Sequence, residues 1–463
     1  MIRLFRVAVP DSVVALVLSD LVLLYTCYLA AAFLALDVDP QVFLRYDSGW
    51  ARIGVVVLCL MAGLYFQDLY TAFRVRSKIL LIQQAGVAVG VAFLLQALLV
   101  YLGQQDLFVP STLMIAGSGI ALAALPLWRI FYAGVVFQAI GSERVFFLGA
   151  SPLVQEICGH LAQHPETGLT SIGCLDDSDC GSEAAAPRLQ GTLADLRSLV
   201  ERLKPDRIVV GLRERRNRLP VHELLDMRLS GIRIEDAATT YESTFGRIST
   251  RELRPAQLIF STELGPNPKR VLLQSIYSMA IATVATVAAA PVLLLVAILV
   301  RLTSRGPVLF RQQRVGKGDV PFTLYKFRSM VRDAEAVSGA VWAAKDDPRV
   351  TSAGKWLRKL RLDELPQLLN VLKGDMSIVG PRPERPEFVA GLERRIPYYR
   401  QRHCVKPGIT GWAQINHHYG DSVEDAIAKL EYDLYYIKNL SPALDVLIMF
   451  HTMKVMLLSR GSQ

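Results

Sequence analysis

Five apolar runs near membrane-crossing length constrain this chain more than any other feature. Four fall in the first third, roughly at residues 12–36, 51–70, 79–102 and 110–135. Each is close to the ~20 residues a helix needs to cross a bilayer. Four in succession argue against the buried core helices of a soluble protein. The loops between them set an orientation. Arg3 and Arg6 precede the first run, and Arg74, Arg76 and Lys78 lie between the second and third. The other two loops hold only Arg45. By the positive-inside rule, the N-terminus and everything after the fourth run face the cytoplasm.

The fifth run, Val271 to Val300, is longer than one crossing needs. Pro291 lies within it and is expected to break or bend the helix. Lys269 and Arg270 flank one end, Arg301 and Arg305 the other. Positive charge at both ends favours a hairpin that enters and leaves by the cytoplasmic face. A kinked spanning helix is the competing reading, and it would carry the C-terminal residues to the outside.

The rest of the chain is not membrane-like. Of 463 residues, 52% are hydrophobic but 20% are charged, and mean hydropathy is +0.31. That mixture points to membrane segments joined to folded soluble domains, and the length allows two to four. Lys and Arg exceed Asp and Glu by 51 to 42, a net charge of +9. No nucleic-acid-binding motif accompanies the excess, so anionic lipid and phosphorylated substrates are the better partners. Cys27 and Cys59 lie in apolar runs, and Cys158, Cys174, Cys180 and Cys404 show no CxxC spacing. A disulfide framework or zinc site is not expected. Nor is a cleavable signal peptide, because the first apolar run is too long and lacks a small-residue cleavage site.

Between the fourth and fifth runs, strand and helix patterns alternate. Residues 144–150 read as a buried strand, Ser151–Gln163 as a helix and Ile172–Leu175 as a strand. Leu193–Leu203 then reads as a helix, Arg207–Gly211 as a strand, Val221–Leu229 as a helix and Ile232–Ile234 as a short strand. This order predicts a small parallel, Rossmann-like sheet. The segment after Gly149 reads Ala-Ser-Pro-Leu-Val. It lacks the glycines that let a backbone approach a pyrophosphate, which favours a structural or regulatory role.

The chemistry-bearing residues follow the fifth run. Phe322–Met330 alternates like a strand and would deliver Lys326 and Arg328 on one face, either gripping phosphates or forming a solvated edge. In 357–374, Leu365, Leu368, Leu369 and Leu372 share a helical face and Gly374 is a natural stop. Pro366 is tolerated only in a first turn, which places Asp363 and Glu364 at the helix N-terminus. A plain cap explains such a pair. With Arg358 and Arg361 upstream, the carboxylates could instead hold Mg²⁺, and one could act as a nucleophile. Pro381 and Pro383 stiffen a loop that presents Arg382, a side chain suited to bidentate phosphate recognition or to a solvated turn. Phe388, Val389, Leu392, Ile396 and Tyr399 mark one helical face beside Arg394, Arg395 and Arg400. That face could lie on an anionic bilayer or pack on the domain core. His403, His417 and His418 form no recognisable metal set.

Taken in order, Lys326-Phe-Arg-Ser-Met, Asp363-Glu-Leu-Pro-Gln-Leu, Val379-Gly-Pro-Arg-Pro and Lys406-Pro-Gly-Ile-Thr-Gly-Trp-Ala-Gln-Ile-Asn resemble the monotopic phosphoglycosyl transferases, or bacterial sugar transferases. The whole chain is similar to the large polyprenyl glycosylphosphotransferases of exopolysaccharide synthesis. The resemblance implies a four-helix transmembrane region over 1–140 and a Rossmann-like α/β domain over 141–265. A mixed, mainly helical monotopic catalytic domain over 266–463 would contain a re-entrant membrane helix at about 270–301, broken at Pro291. It implies transfer of a sugar 1-phosphate, with glucose or galactose the first candidates, from a UDP-sugar to polyprenyl (undecaprenyl) phosphate. Asp363 would be the nucleophile and Glu364 a Mg²⁺ partner. Arg358 and Arg382 would hold phosphates, with Lys326 and Arg328 as weaker candidates. The implied place is the cytoplasmic side of a bacterial inner membrane, and a homodimer is compatible with the large membrane region. Two competing functions stand beside this one. An oxidoreductase or epimerase of nucleotide sugars would need a competent glycine-rich loop and a Tyr/Lys arrangement. A non-catalytic scaffold for polysaccharide assembly would not need the carboxylate pair with its arginines.

Overall fold

The structure is a computed structural model. It describes residues 2–4, 7–70, 78–103, 107–136, 142–176, 191–212, 219–251, 265, 267–331, 349–417, 420 and 422–457. Arg6, Arg74 and Arg76 of the orientation argument, Cys180 and His418 fall outside them. The chain divides into two compact units, Met1–Ile2 with Ala8–Ala237, and Arg3–Val7 with Ala238–Gln463.

In the first unit, α1 (Asp11–Ala35), α3 (Gly49–Phe66), α4 (Lys78–Tyr101) and α5 (Ser111–Phe131) follow the four apolar runs, with the short α2 (Pro40–Tyr46) between the first two. The four longer helices are each apolar enough to cross a membrane, α5 being prolonged by a π-helical turn to Val136. Close packing there depends on small residues, as it must where no hydrophobic drive separates helix from lipid. A Cβ on Gly117 of α5 would sit 2.5 Å from the Tyr28 ring of α1. The Tyr28 hydroxyl meets Ser118 Oγ at 2.7 Å. Asp20 of α1 and Arg129 of α5 form a fully buried ion pair. Each neutralises a charge that apolar surroundings would otherwise expel.

The same unit contains a mixed α/β region. Its strands are β1 (Glu143–Leu148), β2 (Leu169–Leu175), β3 (Arg207–Val210) and β4 (Arg233–Asp236). They pair all-parallel in the order β2-β1-β3-β4. Helices α6 (Pro152–Gln163), α7 (Leu196–Leu203) and α8 (Val221–Leu229) alternate with them. Ser151 caps α6, and the Ala150 amide donates to Asp176 Oδ2 at 2.7 Å. That loop amide is therefore already engaged.

After Arg3–Val7 the second unit continues with α9 (Ala237–Phe245), whose first residue belongs to the other unit. The fifth apolar run forms α10 (Pro268–Thr303), a helix of 36 residues. Pro291, expected to break or bend it, lies inside and does not end it. A proline removes one amide donor and crowds the carbonyl four residues back, which a long helix absorbs by bending. After α10 come the hairpin β5 (Leu309–Val315) and β6 (Pro321–Phe327), then α11 (Ser352–Lys359), α12 (Gln367–Lys373) and β7 (Ser377–Val379). They continue with α13 (Pro386–Glu393), β8 (Gly408–Thr410), α14 (Trp412–Asn416), α15 (Val423–Asn439) and α16 (Pro442–Leu457). One core joins Leu368, Val371, Val379, Val389, Tyr399, Trp412, Leu434 and Leu444. The face of Val389, Leu392, Ile396 and Tyr399 is therefore buried in protein. The reading of that face as a bilayer surface is corrected in favour of core packing: α13 is only 8 residues long and its Val389 and Leu392 lie in the core.

Candidate active site

Asp363 and Glu364 lie in one 3₁₀ turn, Leu362–Glu364, that leads through Pro366 into α12. Arg361 starts the turn in the left-handed region at φ 56°, which folds the chain back from α11. Gly374 ends α12 at φ 84°, a conformation that glycine adopts without strain. The placement of the pair before a short helix stopped by glycine thus matches the sequence reading.

Around Glu364 three separate elements converge. Lys326 of β6 places Nζ 2.8 Å from Glu364 Oε1. Arg382, in the loop after β7, places Nη2 3.1 Å from the same oxygen. Burial alone would raise the Glu364 carboxyl, but Lys326 and Arg382 hold it far below the usual carboxylate range. Asp363 is 8% exposed. Burial pushes its carboxyl up, with the Glu364 charge adding to this and Lys326, Arg358 and Arg361 opposing it. Adjacent carboxylates are thus driven in opposite directions. Glu364 is a fixed anion held by two cations, while Asp363 is a desolvated and more basic one.

The other candidates divide. Arg358, in the last turn of α11, bonds Ser329 Oγ through Nε at 3.0 Å and bears electrostatically on Asp363. Arg328 does not join the cluster. The strand ends at Phe327, so the alternation that would have put Arg328 beside Lys326 stops one residue short. Its guanidinium is buried on the C-terminal end of α10, bonding Ser304 O at 2.7 Å, Ser304 Oγ at 2.8 Å and the Pro307 carbonyl. It satisfies carbonyls that a helix end leaves open, and the structure does not bring it beside Lys326.

Several residues that sequence reasoning passed over build the site's support. Arg402 donates through Nη2 to the Arg382 carbonyl at 3.1 Å and forms an ion pair with Asp433 at 2.7 Å. Arg314 holds the next carbonyl, Pro383 O, at 3.0 Å. Below the loop, β7 and β8 pair in parallel, and a Cβ on Gly408 would lie 2.1 Å from Gly380 N. The glycines of the two motifs are therefore needed for contact with each other. Asp433 had one legible signal: a carboxylate among Leu430, Leu434, Tyr435 and Ile437 on a buried face. His403 bonds Asp319 and His417 bonds Asp425.

The donor set suits a divalent ion only in part. Among the described residues no three His, Cys, Asp or Glu side chains converge. Two adjacent carboxylates fit Mg²⁺ that takes its remaining ligands from phosphate oxygens and water.

Comparison with known proteins gives these residues a context. A family model described as bacterial sugar transferase matches residues 269–459. A UDP-N-acetylgalactosamine-undecaprenyl-phosphate N-acetylgalactosaminephosphotransferase from Aeromonas hydrophila is 37% identical over 342 residues, 74% of this chain and 73% of that protein. A UDP-glucose:undecaprenyl-phosphate glucose-1-phosphate transferase from Xanthomonas campestris pv. campestris is 33% identical over 420 residues, 87% of this chain and 86% of that protein. One of the same description from Escherichia coli (strain K12) is 40% identical over 235 residues, half of each chain.

Proposed function

We propose a reaction for this chain from one premise: it belongs to the bacterial sugar transferase family. It is a phosphoglycosyl transferase that moves a sugar 1-phosphate from a UDP-sugar to undecaprenyl phosphate and releases UMP, at the first membrane step of polysaccharide assembly. The observation that carries the mechanism is a buried Asp363 next to Glu364, whose Oε1 is held by Lys326 at 2.8 Å and Arg382 at 3.1 Å.

In the first step an Asp363 carboxylate oxygen attacks the sugar-bearing phosphorus. The bond from that phosphorus to the UMP oxygen breaks, and its electron pair leaves on UMP. Asp363 suits this role because burial keeps it basic and poorly solvated, so less hydration must be stripped before attack. Glu364 suits the other role. With Lys326 and Arg382 it forms a fixed charge network beside the phosphates, and Arg382 and Arg358 would steady the developing charge. Mg²⁺, held by Asp363 and Glu364 together with the diphosphate, would supply charge neutralisation as a Lewis acid. In the second step a phosphate oxygen of the lipid attacks the same phosphorus and the Asp363–phosphorus bond breaks. The carboxylate is restored and a polyprenyl diphosphosugar leaves.

The site must meet a lipid phosphate, and α10 supports that. Both of its ends are fastened to the second unit. Gln274 Nε2 reaches Asp445 Oδ2 at 2.8 Å, and Val296 and Val300 pack on Phe327 and Leu357. Between them Val284, Val287, Leu294 and Leu295 are exposed. This favours a re-entrant helix over a spanning one. The reading keeps the catalytic residues on the cytoplasmic face of a bacterial inner membrane, with four spans preceding a Rossmann-like domain of structural or regulatory role. Relatives that act on glucose and on N-acetylgalactosamine leave several hexoses as donors to be compared.

The test uses purified protein with Mg²⁺, undecaprenyl phosphate and a panel of UDP-sugars, measuring UMP. Release with one or more of them is expected, and its loss in Asp363→Asn. No release with any donor rejects the transferase reading. Release that survives Asp363→Asn removes Asp363 as the nucleophile.

A further inference from the structure

We propose that Asn370 is a positioning residue whose carboxamide acts as a surrogate strand, fixing Lys326 against Glu364. The inference rests on the reaction proposed above and adds a residue to it.

Asn370 lies in α12 between Leu369 and Val371, and its exposure is 0%. A polar side chain buried among aliphatic ones is costly unless its groups are bonded. Those of Asn370 are bonded, and to backbone. Its Oδ1 accepts from Tyr325 N at 3.0 Å. Its Nδ2 donates to Thr323 O at 2.7 Å and reaches Asp375 Oδ2 at 3.4 Å. The direction of the amide follows from these partners. Turned over, its N–H would meet the Tyr325 N–H, and its oxygen would meet a carbonyl and a carboxylate.

One edge of β6 pairs with β5, with Leu324 opposite Gln312 and Lys326 opposite Phe310. Thr323 and Tyr325 are two apart, so their backbone groups point to a common side. The side chain of Asn370 gives and takes there the two hydrogen bonds that a neighbouring strand would make.

The consequence falls on the site. Tyr325 directly precedes Lys326, and Glu364 lies one short turn before α12. The clamp at Asn370 and the bridge at Lys326–Glu364 therefore close a small circuit between the same two elements. A slip of one residue along β6 would send Lys326 to the opposite face. Leucine would fill similar space in α12 but leave Tyr325 N–H and Thr323 O unpaired. Register, more than volume, is what Asn370 supplies.

The experiment is a double-mutant cycle on full-length protein, with UMP release and thermal unfolding read together. Asn370→Leu should lower kcat on the order of 10- to 100-fold while KM for the UDP-sugar changes less than about 3-fold. In a Lys326→Met background the same substitution should lower kcat less than about 3-fold, with the thermal shift the same in both. Equal falls in kcat in both backgrounds, or an unchanged kcat, overturn the proposal. Should Asn370→Leu not fold, Asn370→Asp keeps the acceptor for Tyr325 and loses the donor to Thr323, and the cycle is read on it. A readout independent of turnover is acylation of lysines followed by mass spectrometry. Lys326 should label several-fold faster in either variant, with exposed Lys355 unchanged; equal Lys326 rates overturn the proposal. If wild type releases no UMP, the reaction is wrong, whereas an active wild type with an indifferent Asn370 rejects only this inference.

Discussion

Lys326 Nζ lies 2.8 Å from Glu364 Oε1, and Arg382 approaches the same oxygen at 3.1 Å. One carboxylate oxygen thus ties strand β6 and the loop after β7 to the turn that carries Asp363. Removing either cation leaves the other facing a charge it balances less completely.

Lys326→Met should therefore destabilise the protein by roughly 3 kcal/mol at neutral pH, the scale for breaking a buried pair. The sign with pH follows from Glu364. In wild type its folded-state carboxyl is held low, so its contribution is present above the ordinary range and is lost as pH falls through the depressed value. In the variant burial is opposed by Arg382 without Lys326, and the carboxyl moves up. The stability gap between the two proteins should narrow as pH falls from neutral through the variant's raised value towards the depressed wild-type one. Urea titrations at both ends of that window check this, and a constant gap rejects it.

Asp363 gives a kinetic counterpart. As the proposed nucleophile Asp363 must be ionised, and burial raises its carboxyl. Single-turnover UMP release should fall as pH drops through a value above the ordinary aspartate figure of about 4. Arg358→Met removes a charge that holds the carboxyl down, so the acid limb should move to higher pH. A wild-type limb at or below about 4 would show that Asp363 is not desolvated during turnover.

How far the sequence carried these residues depended on range. The 3₁₀ turn, Pro366, α12 and Gly374 are contiguous, so local rules placed Asp363 and Glu364 correctly. The Lys326 bridge crosses 38 residues and no local pattern announces it. The expected alternation runs one residue past the end of β6, so Arg328 does not share a strand face with Lys326. Asn370 and Arg402 act on backbone carbonyls and amides, and pairings of that kind have no sequence period. In the first unit, the strands and helices between residues 143 and 236 were legible because apolar strand runs and amphipathic helices alternate without long-range exceptions.

Arg402 and Asp433 offer an asymmetric test. Their side chains are 4% and 1% exposed and 2.7 Å apart. Burial, opposed by Arg402, pushes Asp433 up to about 6. Without Arg402 the aspartate can take a proton and shed its charge. Without Asp433 the guanidinium cannot lose one. Arg402→Met should therefore cost less stability than Asp433→Asn, and denaturant midpoints rank them. Both variants should also weaken UMP release, because the Arg382 carbonyl loses its holder or that holder is disturbed. The opposite ranking would mean that Arg402 finds a second anion when Asp433 is gone.

The re-entrant reading of α10 makes the last prediction. Gln274 and Val300 would lie about 39 Å apart on a straight helix, more than a ~30 Å hydrocarbon core. A spanning helix would hold those two points on opposite sides of the bilayer. Yet Gln274 is bonded to Val379 O, and the Val300 carbonyl accepts from Arg328, so one unit holds both. Residue 387, on the exposed side of α13, should then share the cytoplasm with both ends. In intact cells a Glu387→Cys variant, with the six native cysteines replaced, should resist a membrane-impermeant thiol reagent and label after permeabilisation. Ready labelling from outside would put the catalytic residues across the membrane from UDP-sugars and reject re-entry. Pro291→Ala adds a graded check: if bending at that point lets the helix turn back, the variant should lose activity in membranes, with a smaller loss in detergent.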